Sequence, residues 1–167
     1  MNNTRKLVYT ALLAALTAAG AFMRIPMGYS SVTLQYLFTA MAGLLLGRKW
    51  GALSQLIYVC LGLVGLPIFT MGGGFGYVFQ PTFGFLLGLI PAAWVVGAAA
   101  GESLDPRRMA LASLAGLAVL YAVGMPYMAL ILNVYMGKGM TLSALLWAGM
   151  LPYLPGDAVK IIVAAGV

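Results

Sequence analysis

Apolar residues in this chain fall in long runs separated by short segments rich in glycine, proline and charge. A helix that crosses a bilayer takes about 20 predominantly apolar residues. By that measure the runs predict spans at about 5–23, 32–47, 51–65, 83–100, 109–132 and 155–167. The breaks have their own chemistry. Arg24 to Ser31 reads as a breaker-rich loop, and Arg48-Lys49-Trp50 as a tight basic turn with an interfacial aromatic. Leu66 to Thr82 is a glycine-rich loop, Gly101 to Arg108 a polar turn and Asn133 to Met140 a further loop. Pro126 is expected to kink the fifth span. Thr141 to Met150 is predicted as a short surface helix, ended by Pro152 and Pro155. From Pro155 to Val167 the last helix reaches about 20 Å, against a hydrocarbon core of roughly 30 Å. It is therefore expected to be incomplete in this chain unless the segment from Thr141 supplies the missing length. The fold class is an all-α integral membrane protein with a single transmembrane domain over residues 1–167.

Composition supports that class: 63% of residues are hydrophobic and 7% charged, with a mean hydropathy of +1.01, too little polar surface for a water-soluble particle. The net charge of +6 would suggest nucleic acid in a soluble protein, but here the cations lie in inter-helix segments and report orientation, so no nucleic-acid partner is expected. Alternating the loops puts Arg5, Lys6, Arg48, Lys49, Arg107 and Arg108 on one side and Arg24 and Lys138 on the other. The N-terminus is thus predicted to be cytoplasmic, in a prokaryotic cell membrane, with the loops at 24–31, 66–82 and 133–140 outside. Leu7 to Phe22 is read as a first span and not a signal peptide, because more apolar segments follow. The lone Cys60 excludes an intramolecular disulfide. With no histidine, and Glu102, Asp105 and Asp157 as the acids, the chain offers almost nothing for metal ligation or acid–base catalysis; no metal, no cofactor and no enzymatic activity are expected.

One stretch stands apart. Pro152 to Lys160 places Asp157 and Lys160 three residues apart, on one helix face, in otherwise apolar sequence. Each such charge costs roughly 2.5–3.5 kcal/mol at membrane depth on insertion scales, which makes the pair a functional-site candidate. A fold-specifying ion pair at a helix start is the blander alternative. The loop from Leu66 to Gly84 carries five glycines, including Gly73 and Gly74, interleaved with Phe75, Tyr77 and Phe79. Its glycines allow close backbone approach to a ligand, and its aromatics suit an apolar wall or interfacial anchors. No Gly-Lys-Ser/Thr ending follows, so a phosphate loop is excluded. Gln80 offers amide donors and an acceptor, and Gln35, at the outer end of the second span, offers either ligand contact or an interhelical hydrogen bond. Ala11, Ala15 and Ala19 form a stripe that permits close helix approach, within the protein or to another membrane subunit.

Taken together, Thr33-Leu-Gln35, Leu46-Gly47, Tyr58, Leu61-Gly62, Gly65-Leu-Pro67, the Gly72 to Gly76 loop, Pro81-Thr82, Gly84 and Pro155-Gly-Asp157-Ala-Val-Lys160 resemble the BioY family, the biotin-specific S components of energy-coupling-factor (ECF) transporters. The resemblance runs in order along most of the chain. It implies a six-helix S-component fold with a vitamin pocket near the outer face. It also implies a transmembrane coupling subunit and two cytoplasmic ATPases as partners, with ATP used only by those partners, although some members work without a dedicated module. Asp157 and Lys160 are implied to contact biotin, and Ala11 and Ala15 to face the coupling subunit. One departure is Pro81-Thr-Phe83-Gly84-Phe85, where the family usually reads Pro-Thr-Gly-Gly-Tyr.

Biotin presents a ureido ring with two N–H donors and a carbonyl, a thioether ring and a carboxylate on an aliphatic tail. The expected arrangement has Asp157 accepting from a ureido N–H, Lys160 donating to the ureido carbonyl or pairing with the carboxylate, the aromatic loop over the rings, and Gln35 or Gln80 completing the polar contacts. The alternatives are an S component for another small vitamin and a non-transporting structural membrane subunit.

Overall fold

The computed structural model describes residues 2–27, 30–69, 72–80, 83–101, 105–137, 139, 141–149 and 153–165, and the side chains of all of these except 24–27, 30–33, 148 and 149. Eight of the residues used above, Pro81, Thr82, Glu102, Lys138, Met140, Met150, Pro152 and Val167, lie outside that set, as do the side chains of Arg24, Ser31 and Thr33.

Helix α1, Asn3–Phe22, starts where Asn2 Oδ1 accepts from the Arg5 amide at 2.9 Å. Strands β1, Arg24–Met27, and β2, Ser30–Thr33, then form an antiparallel hairpin, an element the breaker-rich reading of this segment left as loop. The hairpin returns the chain onto the end of α1, where the Leu34 amide donates to Gly20 O at 3.2 Å.

Helix α2, Gln35–Leu63, is two limbs joined at Gly47, whose φ of 82° and ψ of 178° break the helix. The limbs run antiparallel side by side: Gln35 meets Tyr58, Thr39 meets Gln55, and Gly51 packs on Ala42 and Gly43. The second and third expected spans are these limbs, and Gly47 makes their turn because its left-handed φ is open to glycine.

Past the loop lies α3, Phe83–Ala100, with Pro91 inside it, and then α4, Pro106–Leu130, which continues as a π-helical segment, Ile131–Tyr135. Asp105 caps α4 by accepting from the Arg107 amide at 3.1 Å, and Pro106 takes the first position, where no N–H is needed. A short α5, Leu142–Gly149, precedes α6, Leu154–Ala165.

Small residues set the packing. A Cβ on Gly43 would meet Ala93 and Val96 of α3, one on Gly84, Gly116 or Gly124 would collide across the α3–α4 interface, and one on Gly88 would press on Leu120 there. Lipid gives helices no hydrophobic reason to associate, so close backbone approach of this kind carries much of their attraction.

Polar groups turn inward. The Gln55 amide, fully buried, accepts from Thr39 Oγ1 at 2.9 Å and donates to Thr17 Oγ1 at 3.3 Å and Ser54 Oγ at 3.0 Å, linking α1 to both limbs of α2. In α6, Asp157, Lys160, Ile161 and Ala164 are buried while Val159, Ile162 and Val163 are exposed. A water-soluble helix would present those charges outward; this inverted face is that of a helix in lipid. Among the described residues, Phe83–Ala100 and Pro106–Tyr135 are by themselves long and apolar enough to cross a membrane.

Candidate functional site

The buried charges of α6 form the centre. Asp157 sits in the helix's first turn, where the unpaired amides favour an anion. Lys160 follows one turn later, and its Nζ donates to Asp157 Oδ1 at 3.2 Å. The other carboxylate oxygen, Oδ2, accepts from the Tyr121 hydroxyl of α4. Tyr121 is held in turn by an edge-on contact with Phe85 of α3, ring centroids 5.9 Å apart. The carboxylate is therefore fixed from two helices. Among the described residues Asp157 is the ammonium's hydrogen-bond partner, which leaves further N–H donors on Lys160 for a ligand.

Tyr36, buried in the first limb of α2, crosses to α4 and donates to Ser113 O. Tyr153, immediately before α6, is also buried. Tyr121 and Tyr36 were not singled out by the sequence. Tyr121, midway along the expected span 109–132, carried a signal, since a tyrosine away from the interfacial belts needs a partner for its hydroxyl; Tyr36, beside Gln35 at the outer end of its span, did not.

The glycine-rich loop folds back over the ends of α2, α3 and α4. Phe69 is fully buried against Gly62, where no Cβ would fit, and packs on Tyr58 at 5.5 Å, Tyr77 at 4.8 Å and Phe83 at 6.5 Å. Gly74 N donates to Gly62 O at 2.6 Å, and Gly73 sits so tightly against Leu66 O that it too has no space for a side chain. The 3-10 turn Phe75–Phe79 then places Tyr77 inward, while Phe75 stays 71% exposed and Phe79 stacks on Tyr135 at 4.9 Å. Tyr127 of α4 donates to Val78 O. The three loop aromatics thus divide: one is core, and two face outward.

The two glutamines belong to this loop region and not to the Asp157 cluster. Gln35 Nε2 donates to the Tyr58 hydroxyl at 2.6 Å, and that hydroxyl donates to Ile68 O at 2.9 Å, so Gln35 ties the two limbs of α2 to the loop. Gln80 caps the 3-10 turn through its backbone N–H, which donates to Tyr77 O at 2.9 Å, and its backbone carbonyl accepts from the first amide of α3. Ala11 and Ala15 are exposed on the outer face of α1, opposite the buried Thr10, Ala14 and Thr17.

Three comparisons bear on this arrangement. A family model described as the BioY family matches residues 1–167. A probable biotin transporter BioY of Lysinibacillus sphaericus is 43% identical over 157 residues, 93% of this chain and 80% of that protein. The biotin transporter BioY of Thermotoga maritima is 33% identical over 162 residues, 96% of this chain and 92% of that one. The fold matches a crystal structure of the S-component for biotin from an ECF-type ABC transporter, with a TM-score of 0.85, 25% identity, and coverage of 99% of this chain and 91% of that one. A bundle whose last helix turns its charges inward, a match along the full sequence and relatives that share most of their length with it lead to one conclusion: the chain belongs to the BioY family.

Proposed function

We propose that this protein is the biotin-binding membrane subunit of an ECF transporter, taking up biotin with energy supplied by a coupling subunit and two ATPases that are separate chains. The observation that carries the reading is the inward-facing Asp157–Lys160 pair with Tyr121 on its second oxygen, the buried ion pair among the described residues. The chemistry matches the vitamin's head. Asp157 accepts a ureido N–H, and Lys160 spends its remaining donors on the ureido carbonyl or the tail carboxylate. A buried carboxylate left without its donor penalises any ring lacking that N–H, which gives selectivity from few contacts.

The cations supply the orientation. Arg5, Lys6, Arg48, Lys49, Arg107 and Arg108 belong to the α1 start, the Gly47 turn and the α4 start, which share one end of the bundle. That end is cytoplasmic in this reading, in the cell membrane of a prokaryote, and Asp157 opens toward the other side. Ala11 and Ala15 then offer a flat strip on which the coupling subunit docks. ATP is consumed by the partner ATPases, and this chain works without a cofactor of its own.

Isothermal titration of the purified protein in detergent tests the reading, with biotin as ligand and thiamin and riboflavin as controls. Selective biotin binding is expected. Folded protein that ignored biotin, or bound a control equally well, would overturn it.

A further inference from the structure

We infer that Tyr121 is a positioning residue for the substrate: its hydroxyl, acting through Asp157, aims the carboxylate at a ligand N–H. The inference rests on the biotin reading above and extends it to a residue outside α6.

Lys160 and Asp157 share one helix, and a single contact at 3.2 Å between a flexible ammonium and one carboxylate oxygen leaves the carboxylate free to rotate about its own bond. The contact from Tyr121 removes that freedom, because it reaches the opposite oxygen from α4. The phenol is itself fixed: its ring meets Phe85 at 5.9 Å, and α4 is held against α3 by the seam of Gly84, Gly88, Gly116 and Gly124. With one donor on each oxygen, the carboxylate plane is set before ligand arrives, and the lone pairs left over point in fixed directions. A ring N–H that approaches along one of them finds an acceptor already aimed, so less ordering is left for the binding step. A ring carrying an acceptor or a methyl group at that place meets an oxygen that cannot turn away.

The test uses the full chain in detergent and two ligands, biotin and biotin methylated on both ureido nitrogens. Tyr121→Phe keeps the ring against Phe85 and removes the donor. It is expected to weaken biotin about tenfold and to leave the methylated analogue bound as well as before or better, because that analogue has no N–H for Asp157 to accept and gains from a carboxylate that can turn away. A melting curve establishes that the variant is folded. An equal loss for both ligands would make Tyr121 merely structural, and no loss for either would remove it from the site; both outcomes overturn the inference. Asp157→Asn separates this failure from a failure of the function. If Asp157→Asn abolishes biotin binding and Tyr121→Phe does not change it, only the positioning role falls. If the wild-type protein ignores biotin, both fall.

Discussion

Replacing Asp157 and Lys160 singly and together separates what the pair does for the fold from what it does for a ligand. Both side chains are nearly inaccessible, at 6% exposure for Asp157 and 9% for Lys160, and lie 3.2 Å apart. Asp157→Asn preserves shape but leaves the Lys160 ammonium buried without a counter-charge, and breaking a buried pair from one side typically costs about 3–5 kcal/mol. The amide oxygen of the new Asn still accepts one of the two donors that now converge on the carboxylate, so the loss is set near the lower limit, about 3 kcal/mol. Lys160→Gln is milder, about 2 kcal/mol, because Tyr121 still donates to Asp157. The double variant has no stranded charge and should melt closer to wild type than the single losses predict if added. Binding should behave differently. A ureido N–H that loses an ionised acceptor loses about 1.5–3 kcal/mol, or roughly 10- to 150-fold in affinity, and the double variant does not recover it.

Melting temperatures and biotin titrations on the four proteins in one detergent supply both halves. Recovered melting with lost binding is the expected result. If the melting losses simply added, the two side chains would not act as a pair in the folded protein. If the double variant bound biotin within about twofold of wild type, the carboxylate would not be a ligand contact.

Three further outcomes are expected. Gly62→Ala places a methyl group inside the Phe69 ring, so the loop must lift from the bundle; a cost of about 1–3 kcal/mol should appear as a lower melting temperature and weaker biotin binding. Tyr127→Phe removes the donor to Val78 O and should raise hydrogen exchange across residues 75–79, leaving the melting temperature within a few degrees of wild type, since the ring contact with Phe83 at 5.8 Å survives. Ala15→Trp, on the exposed strip of α1, should leave biotin titration unchanged and prevent co-purification with the coupling subunit; intact co-purification would move the docking face elsewhere.

The spans were legible because lipid lets a crossing chain satisfy its backbone only as helix, so run length and element nearly coincide. Asp157 and Lys160 were legible for a related reason: a charge in such a run is costly enough to need an explanation. The hairpin from Arg24 to Thr33 was not, since two strands of four residues have little pattern of their own and depend on docking to the end of α1 at Gly20. Gln35 had two readings at the sequence level, and its bond to Tyr58 supports the interhelical one. Phenols resist sequence reading most of all. A tyrosine costs little in an apolar run, and even where mid-span depth marks Tyr121 as needing a partner, which group it meets is set by what packs opposite: Ser113 O for Tyr36, Asp157 for Tyr121 and the loop backbone at Val78 for Tyr127.

Those helices also connect the loop to the charge pair, although no residue of the loop's 3-10 turn touches Asp157 by hydrogen bond or ion pair. The start of α3 serves both. Phe83 meets Phe69, Tyr77 and Tyr127 on the loop side, and two residues later Phe85 meets Tyr121 on the Asp157 side. Tyr121 and Tyr127 are themselves less than two turns apart on α4, one donating to Asp157 and the other to the loop backbone at Val78. A movement that lifts the loop must shift Phe83 or Tyr127, and either shift is transmitted through a short rigid stretch of helix to the residues that aim the carboxylate. The packing that seats residues 75–79 is thus continuous with the packing that holds Tyr121 against Asp157, so ligand binding at Asp157 should protect the amides of residues 75–79 from exchange, and Tyr121→Phe should reduce that protection even at saturating biotin.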